Sequence, residues 1–199
     1  MTQKKKKQKR CDWSGSNPLM MTYHDQEWGV PVHDDCKLFE FLILEGAQAG
    51  LTWQTVLNKR EKYRKAFNEF DTKKIAQYRA KDVKRLLADT GIIRNRLKVA
   101  ATIQNAKKFL EIQKEFGSFE KYIWQFVSDK PINHKIKTMK NIPASTKESD
   151  ILSKDLLKKG FKFVGHTICY AFMQAVGMVN DHEVKCFRYK EILELPLKI

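Results

Sequence analysis

Apolar positions recur at helical spacing almost from end to end of the chain, and the alternating Val/Ile/Thr runs that mark half-buried strands are missing. Behind the capping residues Asp34 and Asp35, the series Leu38, Phe39, Leu42 and Ile43 predicts one strongly apolar helix ending near Gly46. A second is expected over residues 53–67, with Trp53, Val56, Leu57 and Phe67 on one side. Asp71 and Asp82 open shorter pieces carrying Ile75, Tyr78, Val83, Leu86 and Leu87, punctuated by Gly91. Over residues 94–116 the series Leu97, Ala100, Ile103, Ala106 and Leu110 predicts a long amphipathic helix that Gly117 terminates. Ser118 caps the next, whose core face is Phe119, Tyr122, Ile123, Phe126 and Val127. Residues 128–142, with Pro131 and several lysines, read as a connecting loop closed by Pro143 and a capping box running from Ser145 to Glu148. A helix bearing Ile151, Leu152, Leu156 and Leu157 reaches Gly160, a short hairpin follows, and residues 167–176 form a further helix ended by Gly177. The predicted fold class is all-α, without internal repeats.

The 199 residues are 42% hydrophobic with only 9 Gly and 5 Pro, which suits one domain with a real core and argues against wholesale disorder. The longest apolar run, Phe39 to Leu44 with Glu40 inside it, is far short of the roughly 18 residues of a membrane span. Charge changes the picture more. The formal net charge is +15, and setting aside the six basic residues among the first ten still leaves +9 on the rest. An excess on the folded body points to a polyanion, nucleic acid before an acidic membrane surface, because each Lys or Arg set on a phosphate releases counterions. Residues 1–10 read as a solvated basic tail, and without an apolar stretch there export is not expected. Four cysteines in such a chain do not suggest disulfides; Cys169 reads as a buried thiol and Cys36 as structural.

Three constellations carry possible chemistry. Cys11 and His24 stand at Cys-x12-His spacing near one end, and His182 and Cys186 at His-x3-Cys spacing near the other. Four such ligands suit tetrahedral zinc, which would staple the chain ends with no open position for water; plain packing of His182 and Cys186 is the alternative. The second group is Trp13, Tyr23, Trp28, Glu45 and Trp53. Glu45 directly follows an apolar run, so its carboxylate is either buried for a purpose or exposed at a helix end. The third is the segment 156–170, a helix, a Gly-bounded hairpin and a helix, with Lys158, Lys159 and Lys162 alongside. Free backbone N–H groups at such a turn suit a DNA phosphate; a plain αα-hairpin is the alternative.

The stretches Tyr23-His24-Asp25-Gln26-Glu27-Trp28-Gly29-Val30-Pro31, Leu44-Glu45-Gly46-Ala47-Gln48-Ala49-Gly50-Leu51-Thr52-Trp53 and Gly160 to Gln174 resemble the DNA-3-methyladenine glycosylase I family, a branch of the helix-hairpin-helix glycosylases. The resemblance covers roughly residues 11–189. It implies a helix-hairpin-helix glycosylase fold from residue 11 to 199 as a single unit, the motif lying at about 149–177. Cys11, His24, His182 and Cys186 match the family's zinc ligands, implying a structural Zn2+. Glu45 matches the carboxylate that reads the base edge and is the implied catalytic residue, Trp53 a stacking wall and Tyr23 a polar aromatic contact, with Trp13 and Trp28 in support. Gly50 and Leu51 resemble the loop that fills the gap left by the displaced nucleotide; Lys162, Gly165 and Thr167 fall at DNA-binding positions of the hairpin. Where related glycosylases carry a catalytic Asp this chain has Asn180, and Thr167 falls where lyases present a Lys. The implied activity is monofunctional: a flipped 3-methyladenine is hydrolysed from double-stranded DNA, leaving an abasic site, by a cytoplasmic monomer with no membrane partner. A buried ionised Glu45 would favour the cationic base and Trp53 would add cation–π stacking. The competing expectation is a non-catalytic DNA-binding helix-hairpin-helix module, which has no need of Tyr23, Glu45 and Trp53.

Overall fold

Among residues 8–196, which the computed structural model describes, the helical spacing resolves into eleven α-helices. They are α1 (Pro18–Gln26), α2 (Asp35–Gln48), α3 (Trp53–Leu57), α4 (Arg60–Ala66), α5 (Thr72–Ile75), α6 (Ala80–Ala88), α7 (Arg96–Phe116), α8 (Phe119–Trp124), α9 (Lys147–Lys158), α10 (His166–Ala175) and α11 (Phe187–Leu193). None is long and apolar enough to cross a membrane.

Helix α2 runs through the core. Leu38, Phe39, Phe41, Leu42 and Leu44 are all at most 1% exposed, each such side chain stabilising the fold by about 1.5–3 kcal/mol. Asp34 caps it by accepting from the Lys37 amide at 2.8 Å. Asp35 does something the sequence does not reveal: its carboxylate accepts from the amides of Phe119 and Glu120 at 2.9 and 2.8 Å, capping α8 from across the core. At its other end, the Lys98 ammonium donates to the carbonyls of Ala47 and Ala49 at 2.7 and 2.8 Å, satisfying groups that a helix terminus leaves free. Between these ends lies Glu40, buried yet ionised. Burial opposes its charge, but hydrogen bonds from Arg60 Nε (2.7 Å) and Arg64 Nε (2.8 Å) outweigh it and hold the carboxyl below its usual range. Arg60 also reaches Glu27, so one network ties α4 to α2 and to the turn after α1.

Several expectations are corrected. The predicted helix 53–67 is broken into α3 and α4 at Asn58 and Lys59, with no Gly or Pro to announce it. The Lys59 ammonium at the break donates to Thr90 O, and Arg60 begins α4 on the buried carboxylate of Glu40. Asp82 is not a cap but the third helical residue of a capping box, accepting from the Arg79 amide. Helix α7 buries Val99, Thr102, Ala106, Phe109 and Ile112, whereas Leu97 is 70% exposed. Its apolar residues surround most of the helix, and packing selects the face. Helix α9 begins from a Thr146/Ser149 capping box, one residue later than expected, and leaves Ile151 and Leu157 exposed. Ile132–Asn133 and Val179–Asn180 form a two-stranded parallel pair, β1 and β2, too short for alternation to be visible. Of the expected basic tail, residues 1–7 lie outside the described residues; Lys9 O accepts from the Phe187 amide and Arg10 pairs with Asp25 at 2.7 Å, so these two belong to the body.

Two close approaches place the site. At Gly177 (φ +72°) an added Cβ would lie 2.4 Å from the backbone of Val30 and Pro31, so only glycine lets the segment after α1 cross the end of α10. That crossing is fixed by Gly29 N to Gln174 O and Val32 N to Val176 O, both 3.0 Å. At Gly46 an added Cβ would stand 3.3 Å from Phe163, which brings the α9–α10 hairpin against α2 beside Glu45.

The hairpin itself is held from outside. Asn105 of α7 accepts from the Lys162 amide at 2.8 Å and donates to the Lys162 carbonyl at 2.9 Å, while the next residue, Phe163, takes a left-handed φ of +54°. Asn105→Ala is expected to lower stability by about 1–3 kcal/mol, read as a lower urea midpoint at unchanged slope, since it orphans both groups of the hairpin backbone. A midpoint equal to the parent's would mean that the hairpin holds its own shape.

Candidate functional site

Two neighbouring clusters gather the residues singled out in the sequence. The first is a cavity of about 240 Å³ whose lining includes all five members of the aromatic and acidic group: Trp13, Tyr23, Trp28, Glu45 and Trp53. Each reaches it from a different element. Trp13 lies in a 3-10 turn (Asp12–Ser14) ahead of α1, Tyr23 on α1, Trp28 in the turn beyond it, Glu45 on the last turns of α2, and Trp53 at the start of α3. The Tyr23 and Trp53 rings are 5.1 Å apart and the Trp13 and Trp28 rings 4.9 Å, so the walls support one another.

Glu45 is 4% exposed and, unlike Glu40 one and a half turns earlier, has no hydrogen-bond partner among the described residues. Burial alone pushes its carboxyl up to about 8. This refines the expectation of an ionised Glu45, since at neutral pH the empty pocket holds the neutral acid. Tyr23, also buried, has its hydroxyl pushed well above its usual range by burial and by the nearby Glu45. The indole N–H groups of Trp13 and Trp53 are buried without a partner. A small apolar chamber lined by residues with unpaired polar groups is suited to hold a ligand.

The second cluster is Cys11, His24, His182 and Cys186, all buried, with their ligand atoms within 4.8 Å of one another. Cys186 Sγ lies 3.4 Å from His24 Nε2 and 3.7 Å from His182 Nδ1, and Cys11 Sγ lies 3.5 Å from His182 Nδ1. An ion 2.0–2.3 Å from each ligand sets spacings of roughly 3.3–3.8 Å. The other ring nitrogens are engaged as metal-binding histidines require: His24 Nδ1 with Asp25 at 2.8 Å, His182 Nε2 donating to Trp28 O at 2.9 Å. The Glu183 amide donates to Cys11 Sγ. Cys186 is pushed far down by its hydrogen bond with Cys11 and then, against its burial, by both imidazoles. These four residues can hold a metal ion.

The two clusters share a wall. The Trp28 ring is 4.7 Å from His182 and Trp13 is 5.3 Å from His24.

The expected DNA-contacting residues lie on two surface segments. Gly50 (φ +78°) and Leu51 (41% exposed) form the turn between α2 and α3. Gly165 is the N-cap of α10, and it, Thr167 and Lys162 are exposed. Asn180 is buried, accepting from the His182 amide and donating to Tyr189 O, so it serves the backbone around the metal cluster. Sequence reasoning did not identify Asp25, Gln174 or Asp181 as partners of the site. Asp25 and Asp181, each directly beside a candidate ligand in the chain, carry a visible signal, and Gln174 carries none.

The family model described as methyladenine glycosylase matches residues 13–189. DNA-3-methyladenine glycosylase 1 of Escherichia coli is 52% identical over 180 residues, covering 90% of this chain and 96% of that protein. A crystal structure of a 3-methyladenine DNA glycosylase I superimposes with a TM-score of 0.88 at 52% identity, over 90% of this chain and 98% of that one. A single-residue variant of a 3-methyladenine DNA glycosylase I, solved in complex with 3-methyladenine, gives 0.87 at 35% identity, over 89% of this chain and 96% of that one. With its aromatic pocket, its buried acid and matches of this extent, the chain belongs to the methyladenine glycosylase family.

Proposed function

We infer that this protein excises 3-methyladenine from alkylated double-stranded DNA by hydrolysis and leaves an abasic site. The observation that carries this reading is Glu45, a buried carboxyl with no partner among the described residues, in an aromatic chamber of about 240 Å³. A DNA-binding module that grips only the backbone has no use for such a chamber.

The chemistry follows from the substrate. Methylation at N3 gives the base a delocalised positive charge and weakens the bond to the sugar. The damaged nucleotide leaves the helix at a cost of a few kcal/mol, less than for an intact pair. Gly50 and Leu51 occupy the gap, while the exposed amides at the start of α10 and the Lys162 hairpin hold a phosphate. In the chamber the cation meets Glu45 and the face of Trp53. Its charge offsets the burial of the carboxylate, so Glu45 gives up its proton as the base enters. A neutral adenine offers no such compensation. When the C1′–N9 bond breaks, its electron pair neutralises the purine; water then supplies the hydroxyl at C1′ and releases its remaining proton to solvent. Thr167, where a lyase would present an amine, forms no imine, so strand cleavage is not part of the reaction.

The metal that Cys11, His24, His182 and Cys186 fit best is zinc, given two thiolates and two imidazoles at tetrahedral spacings. Four protein ligands complete its shell, so it would supply structure, holding the two ends of the chain together behind Trp13 and Trp28.

Purified protein is expected to release 3-methyladenine from methylated DNA and to leave adenine in place; folded, metal-loaded protein that releases no base would reject this function. Because kcat/KM reports the free enzyme, and the Glu45 carboxyl lies at about 8, kcat/KM should rise close to tenfold per pH unit below 8 and level off above it. Glu45→Gln should keep the fold and lose that rise. A parent profile that is flat from pH 6 to 9 would remove the carboxylate from its role. Metal analysis should find one zinc per chain, and Cys186→Ala should lose it together with roughly 3 kcal/mol or more of stability. Full stability in metal-free protein would instead make the cluster ordinary packing.

A further inference from the structure

One polar side chain in the pocket wall has its orientation decided by a group outside the pocket. Gln174, on the last turn of α10, lines the chamber with Glu45. Its amide nitrogen donates to Asp181 Oδ2 at 2.7 Å. Asp181 is 1% exposed and takes two more donors, the Tyr170 hydroxyl on the same oxygen and His134 Nδ1 on the other at 2.6 Å. A carboxylate only accepts, so the side chain that turns toward it must present nitrogen. The backbone of Gln174 is held as well, its carbonyl accepting from the Gly29 amide. The amide oxygen Oε1 is therefore the free end, and it has no hydrogen-bond partner among the described residues.

An oxygen that cannot exchange places with its nitrogen discriminates between purines. A 6-aminopurine cation presents an exocyclic amino group with two N–H donors, one for Glu45 and one for a second acceptor. A 6-oxopurine such as 3-methylguanine presents an oxygen at the same position and would set two acceptors against each other. A freely turning amide would accommodate both, whereas a fixed one rejects the base that leaves it unpaired. Asp181 thus acts at a distance from the substrate, and His134 and Tyr170 hold Asp181 in turn.

Resting on the glycosylase reading above, we propose that Gln174 is a specificity-determining residue: its amide oxygen, oriented by Asp181, accepts from the exocyclic amino group of the alkylated 6-aminopurine and disfavours 6-oxopurines. Asp181 is the positioning residue of this pair.

DNA treated with a methylating agent contains both bases, so one assay measures both. Release of 3-methyladenine and 3-methylguanine is followed for the parent, Gln174→Leu and Gln174→Met, with melting curves and zinc content recorded for each. In the variants, kcat/KM for 3-methyladenine should fall roughly 10- to 100-fold, as loss of a hydrogen bond to a charged ligand implies. That for 3-methylguanine should hold or rise, so the ratio between them drops at least tenfold. Equal losses for both bases would assign Gln174 to structure alone and overturn the proposal, as would an unchanged ratio. Should Gln174→Leu fold poorly, the near-isosteric Gln174→Met decides by the same ratio. A parent that releases neither base overturns the glycosylase reading itself; a parent that releases 3-methyladenine with variants of unchanged ratio overturns only the role of Gln174.

Discussion

A carboxyl group held in an apolar chamber without a partner is the constraint around which this molecule is arranged. Ionising Glu45 at neutral pH works against burial, and nothing among the described residues offsets that cost. The contrast with Glu40 makes the point on the same helix. Glu40 is as deeply buried, but Arg60 and Arg64 hold it charged and thereby join α4 to α2. An arginine placed likewise beside Glu45 would keep its carboxylate charged and leave nothing for an incoming cation to satisfy. The partnered acid joins two helices, and the other stands on the chamber wall, where the proposed cation would meet it.

Helix α2 can present Glu45 in this way because both of its ends are fixed by other elements. Asp35 reaches from its first turn to the amides of α8, and Lys98 of α7 satisfies the carbonyls at its last turn. The absence of a side chain at Gly46, one residue beyond the acid, lets the hairpin carrying Lys162 and Phe163 pack against it. The segment expected to grip phosphate and the residue expected to read the base are thus adjacent on a rigid support. A base could be read only if the backbone were gripped in a matching register, and this packing sets that register without a hinge.

Much of this was legible in the chain. Helices with clear caps and long apolar runs, such as α2 and α8, are visible because local propensity and tertiary packing agree. The buried-acid question at Glu45 was visible too, as an acid where the pattern calls for an apolar residue. What was not legible depends on contacts between distant segments. The rotation of α7, which exposes Leu97, is selected by its neighbours. The break at Asn58 and Lys59 follows from where Arg60 must point. The parallel pair of β1 and β2 has two residues a strand, below any periodicity. Gln174 and Asp181 are seven residues apart with a turn and a strand between them, so nothing in their spacing announces that one orients the other.

The metal cluster and the pocket are best understood as one construction. His182 hydrogen-bonds to the carbonyl of Trp28 and packs edge-on against its ring, while His24 lies one residue after Tyr23 on α1 and meets the ring of Trp13. Three of the pocket's aromatic residues are therefore neighbours of ligand residues, either along the chain or through a ring contact. Residues near position 11 and near position 186 have no common strand or long helix to hold them in register, and their backbone is mostly turn. A tetrahedral ion is a short, stiff link suited to that task, because it fixes four side chains from two chain ends at once. With such an ion bound, the aromatic walls would take their positions from the ligands behind them, and a chamber built from the least regular parts of the fold would become as rigid as its helical floor.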